Sequence, residues 1–141
     1  MALQRVPDWR FRLGQIIESA RELSFQWGTF DCALHVANCV RAMTGTDPAA
    51  TYRGTYSDED GAARIYGASL GDFIARTAQA LGCAEIPPTL ARRGDVVYVD
   101  NETPQGAIGV VSLDARFASC ASDKGIVLIH LYRWRRAWRV G

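Results

Sequence analysis

The sequence predicts an α+β fold, N-terminal helices packed on a C-terminal antiparallel β-sheet, in a single domain over residues 1–141. Three observations predict it. Apolar residues recur at helical spacing through the first half. From Asp95 onward the period changes to short apolar runs separated by turn compositions. The order, helices first and strands second, is that of the α+β class.

The first helix begins at Asp8, an N-cap candidate after Pro7. Trp9, Leu13, Ile16, Ile17, Ala20 and Leu23 share one face, with Arg10, Arg12, Glu18 and Arg21 on the other. "SFQWGTFD" breaks the period and reads as a loop around Gly28. A second helix is predicted from Cys32 to Thr44, capped by Asp31 and stopped by Gly45. Ala33, Leu34, Val36, Ala37, Val40 and Met43 cover most of its circumference, which makes it a central, buried helix. After the turn-rich "TGTDPAATYRGTY", Ser57 and three acids open a short helix over Asp58 to Tyr66. A fourth helix spans Ser69 to Leu81, with Gly82 closing it. "EIPPTLARRGD" is a connector, since its Pro-Pro excludes helix. "DVVYVD", "AIGVVSL", "RFASCA" and "GIVLIHL" then read as strands, and "YRWRRAWRVG" as a turn with a short closing strand.

Bulk composition excludes several functions. At 141 residues with 48% hydrophobic and 22% charged side chains, the chain is ordinary globular protein with room for a core. No apolar run reaches the about 18 residues of a membrane span. "MALQRVPDWRFRLGQ" lacks the apolar stretch of a signal peptide, so export by that route is not expected. A net charge of +1 argues against a protein built to coat nucleic acid. Cys32, Cys39, Cys83 and Cys120 form no C-x-x-C pair, so neither a zinc site nor a disulfide framework is expected, and no cofactor is implied. Cys39 and Cys83 read as small buried hydrophobes.

Cys32 is different. It falls at the first turn of the central helix, where unpaired N–H groups and the helix dipole favour thiolate over thiol. A cysteine hydrolase also needs a histidine to carry the proton and a polar group to orient it. Without them, Cys32 is a buried thiol at a helix start.

"WGTFDCALHVANCV", "RRGDVVYVD" and "GAIGVVSL" together resemble the NlpC-type cell-wall cysteine peptidases, a branch of the papain-like fold, from about Trp27 to Ile129. The resemblance implies that Cys32 stands where the nucleophile does, that Gly94-Asp95 opens the sheet, and that "AIGV" at 107–110 is the histidine strand. Where the family carries its histidine this sequence has Ala107, which cannot accept a proton. The next strand offers only Ser119 or Cys120 as the third polar residue. Two histidines remain as candidate bases: His35, three residues beyond Cys32 on roughly the same helical face, and His130 on the last long strand. Each reads more readily as a structural imidazole than as a base.

The tail "YRWRRAWRVG" carries Arg133, Arg135, Arg136 and Arg139 with Trp134 and Trp138 and no acid. It is a closing strand whose tryptophans cover the core, a surface for docking other proteins or an interfacial membrane anchor; nucleic acid is not expected to use it. A wall enzyme has to reach the wall, yet no export signal is seen. Small unexported chains of this kind resemble proteins encoded among bacteriophage tail genes, made in the host cytoplasm and carried in the virion. The expected function is therefore a tail-tip component on a degenerate peptidase domain, with other tail proteins as partners. The alternative is an active peptidoglycan-cleaving peptidase or amidase with Cys32 as nucleophile, His130 or His35 as base, and helix-start N–H groups stabilising the oxyanion.

Overall fold

The computed structural model describes residues 2–141, with four helices followed by a six-stranded antiparallel sheet. The helices are α1 (Trp9–Ala20), α2 (Cys32–Thr44), α3 (Glu59–Tyr66) and α4 (Leu70–Ala80). Asp31 caps α2 by accepting the Leu34 N–H, and Gly45 stops it at φ +81°, a left-handed geometry suited to glycine. Asp58 and Ser69 cap α3 and α4 in the same way. Asp8 does not cap α1, because its backbone lacks the extended cap conformation. Its carboxylate instead accepts from Arg12 Nε one turn later, at 2.8 Å. The helix also ends at Ala20, leaving Leu23 outside it and exposed.

The strands are β1 (Glu85–Ile86), β2 (Val96–Val99), β3 (Ala107–Val111), β4 (Phe117–Ser122), β5 (Gly125–His130) and β6 (Trp134–Trp138), in the spatial order β1-β6-β2-β3-β4-β5. β1 lies within the segment read as connector: two residues before Pro87 pair with β6, and residues 88–90 make one 3₁₀ turn. The helix α2 lies across β3 and β4, with α1 against its other side. Ala33, Val36, Val40 and Met43 meet Val96, Ile108, Val110 and Trp138 in one core. Alternation sends Val97, Val99, Val111, Ala118 and Cys120 to the opposite face, where Ile86, Ala91, Val127, Ile129 and Leu131 cover them.

The tail resolves into the closing strand. Pairing of β6 with β2 shifts register between Tyr98 and Val99, so Arg135 is an extra residue in β6. That bulge sends Trp134 into one core and Trp138 into the other, both buried. The tryptophans are thus unavailable as docking anchors. Arg133 meets Glu102, Arg135 meets Asp100, and Arg136 meets both Glu85 and Asp72. Among the described residues, no helix is long and apolar enough to cross a membrane.

Candidate functional site

The segment before α2 is a tight loop. Gln26 and Phe30 exchange backbone hydrogen bonds of 2.8 Å, and Gly28 turns between them at φ +80°. A Cβ on Gly28 would stand 1.8 Å from the Tyr56 carbonyl oxygen, so only glycine fits. Asp31 is fully buried beneath this loop. Its carboxylate accepts from Gly28 N at 3.1 Å, Leu34 N at 3.0 Å and the Tyr56 hydroxyl, which also lies 3.3 Å from the Tyr66 hydroxyl. One carboxylate thereby fixes the loop, the start of α2 and the 46–56 segment together.

Cys32 follows, half-buried, and lines an open groove of about 440 Å³. Phe25 and Trp27, packed edge-to-face at 4.9 Å, form one wall. The β2–β3 loop around Gln105 and the β4–β5 turn at Ser122 and Asp123 supply others, with Glu59 and Tyr66 beside them. Burial, and next the neighbouring Asp31 carboxylate, push the Cys32 pKa up to about 11. N–H groups of Ile108 and Ala33 pull the other way without offsetting them. The expected gain from the helix start is outweighed by desolvation and by the capping acid.

The other expected residues are distributed as follows. Ala107 begins β3 and lines the groove beside Cys32. His35 points into the interior: it is fully buried, its Nε2 lies 2.9 Å from Ser119 Oγ, and its ring meets Phe30 edge-on. Burial lowers its pKa to about 4, and its Nδ1 has no partner among the described residues. Ser119 is therefore the partner of His35 inside the fold, while Cys120 faces the opposite core. His130 ends the edge strand β5, paired with Phe117, and its Nδ1 accepts the Tyr132 N–H. Phe117 is at the far end of β4 from Ala121, which lines the groove, roughly 13 Å away at strand rise. Cys32 and Ala107 both line the groove, although Ala107 packs with the core on the opposite face of the sheet from Cys32, and neither imidazole is in the lining.

Sequence reasoning missed the tyrosines. Tyr56 sits in a stretch read only as turn-rich, and nothing in its neighbours marks its hydroxyl as the partner of Asp31. Burial pushes the Tyr56 and Tyr66 phenols well above the usual range, so both remain neutral donors. The groove's titratable side chains are Cys32, Glu59, Tyr66 and Asp123, with no lysine, arginine or histidine among them. No cluster of three metal-ligating side chains occurs among the described residues.

Fold and site together define an α+β domain in which a helix-start cysteine opens on a solvent-facing groove. Over residues 4–140 the chain matches the family described as Domain of unknown function (DUF6950), and it belongs to that family. No curated protein matches it.

Proposed function

We propose that the chain is a divergent NlpC-type, papain-like domain that binds rather than cleaves, and that it serves in the bacteriophage tail tip. The observation that carries this reading is the groove beside Cys32. Ala107 occupies the strand start where the resemblance calls for a histidine, and the thiol is held protonated at neutral pH. A cysteine nucleophile needs a base within about 2.6–3.2 Å or one water, and neither His35 nor His130 reaches the groove. What remains is a recognition surface. Aromatic walls from Phe25 and Trp27, with the carboxylates of Glu59 and Asp123 and no basic side chain, suit an extended peptide carrying an amine. Peptidoglycan stem peptides and segments of neighbouring tail proteins both meet that description.

Two assays test it. Purified protein incubated with peptidoglycan is expected to release no new amino or carboxyl termini. Particles carrying Cys32→Ala are expected to assemble and infect as wild type does. Release of soluble peptides by the wild type, abolished by Cys32→Ala in a folded variant, would replace this reading with the active peptidase.

A further inference from the structure

Away from the Cys32 groove, between the start of α1, residues 91–95 and the end of the chain, lies a second open cavity of about 390 Å³. Five guanidinium groups converge on it: Arg5, Arg10, Arg92, Arg93 and Arg139. Asp95 is the one side-chain carboxylate there, and it is already spent. It is 1% exposed and accepts from Arg5 at 3.0 Å, from Arg92 N at 2.9 Å and from Val140 N at 3.1 Å. The five guanidinium groups therefore outnumber the side-chain carboxylates of the lining by four.

Apart from Arg5, which pairs with Asp95, the arginines are held without an ion pair. Arg5 forms the floor, with Nε on the Val140 carbonyl at 2.6 Å and a terminal nitrogen on the Arg93 carbonyl at 2.8 Å. Arg5 and Arg10 both stack on Trp9, at 4.1 and 4.8 Å from the ring centre. Arg93 and Arg139 each donate to one backbone carbonyl, of Leu113 and Leu90, and meet no acid. Arg10 and Arg92 are exposed, and their side chains have neither an ion pair nor a hydrogen bond among the described residues. Arg133, Arg135 and Arg136, by contrast, all meet carboxylates. Of the nine basic side chains that make no ion pair among the described residues, four line this one cavity. Their mutual repulsion is felt: beyond burial, Arg10 and Arg139 lower the pKa of Arg5.

We infer that this cavity binds a compact, multiply charged phosphate-bearing anion of the oligophosphate class. Planar guanidinium forks match phosphate oxygens two at a time, and forks already fixed by stacking and carbonyl bonds lose less entropy on binding. A single anionic charge would leave the cluster under-neutralised, whereas a diphosphate or triphosphate balances it. The cations form one concave site rather than a stripe, and outside it acids outnumber bases 14 to 11, which favours a small ligand over a polymer backbone.

Calorimetric titration with sodium tripolyphosphate at 150 mM salt tests this, with the Arg10→Ala/Arg92→Ala double variant alongside. Both positions are exposed and unpaired, so the variant should keep the wild-type melting temperature. Wild type is expected to bind, and the double variant to bind at least roughly tenfold more weakly, the loss of about 1.4 kcal/mol or more. Absence of binding to wild type, or equal binding to both, would overturn the proposal. A twenty-residue oligothymidylate and vesicles of phosphatidylglycerol form the remaining arms. If either binds wild type while tripolyphosphate fails to compete, the face belongs to a polymer or a membrane and the oligophosphate assignment falls.

Discussion

Asp31→Ala should be the most damaging single substitution near the groove. The carboxylate is fully buried and answers three donors: the Gly28 N–H, the Leu34 N–H and the Tyr56 hydroxyl. Removing an N-cap costs about 1 kcal/mol. Each buried donor left unmet costs a further ~1–3 kcal/mol, and the Tyr56 hydroxyl has only the 3.3 Å contact to Tyr66 to fall back on. The loss should total about 3–7 kcal/mol, a large share of the stability of an ordinary domain. Asp31→Asn keeps an acceptor for the helix cap and should cost less, about 1–2 kcal/mol. Urea unfolding followed by tryptophan fluorescence measures both. The two variants separate structure from electrostatics, because either one removes the charge that helps to raise the Cys32 pKa. In Asp31→Asn the midpoint of Cys32 alkylation should therefore move to lower pH. If Asp31→Ala falls within 1 kcal/mol of wild type, the carboxylate is not the anchor described here.

Two further outcomes follow from the interior. His35 is neutral in the fold, with its pKa lowered by burial from 6.5 to about 4. Below about pH 6.5 the unfolded chain takes up a proton that the folded chain refuses, so this contribution is fully present above 6.5 and is lost as pH falls toward 4. The loss is on the order of 3 kcal/mol; denaturation curves from pH 7 to pH 4 should show it, and His35→Gln should flatten the slope. A slope identical in the variant would place the acid sensitivity elsewhere. At Gly109 on β3, an added Cβ would lie 2.5 Å from Cys120 Sγ and 2.7 Å from the Ser119 carbonyl oxygen. Backbone cannot move aside cheaply, so Gly109→Ala should destabilise by about 1–3 kcal/mol in the same unfolding assay. A melting temperature at or above wild type would contradict that packing.

The central helix is readable from sequence to the residue, because Asp31 and Gly45 are strong local start and stop signals and the apolar positions between them leave no other period. The four long strands were readable for the same local reason. The two-residue β1 was not: its existence depends on β6 returning from about fifty residues downstream, and no local pattern encodes that. Helix α1 is shorter than its apolar spacing predicts, because that spacing continues to Leu23, which the structure leaves exposed beyond the helix end at Ala20. At the site, sequence identified Cys32, Asp31 and Ala107 as the residues of interest. What it leaves out at the thiol is burial and the neighbouring Asp31, which act against the thiolate that a helix start favours. The buried Asp31 that makes the helix start also makes it hostile to a second negative charge. His35 shows a related limit. Helical spacing puts it near the face of Cys32, but a position on a helix does not state which neighbouring strand claims the side chain, and Ser119 claims this one. The arginine cavity drew no attention in the sequence because its members are spread from residue 5 to residue 139, each in unremarkable company.

The pH dependence of alkylation at Cys32 tests the central claim most directly, with modified peptides quantified by mass spectrometry and Cys39, Cys83 and Cys120 as internal references. Cys32 lines an open groove, so reagent can reach it, and its labelling should stay slow near neutrality and rise only as pH approaches about 11. Rapid, selective labelling with a midpoint well below the free-thiol value of about 8.5 would mean an activated thiolate, and the silent-groove account would be wrong.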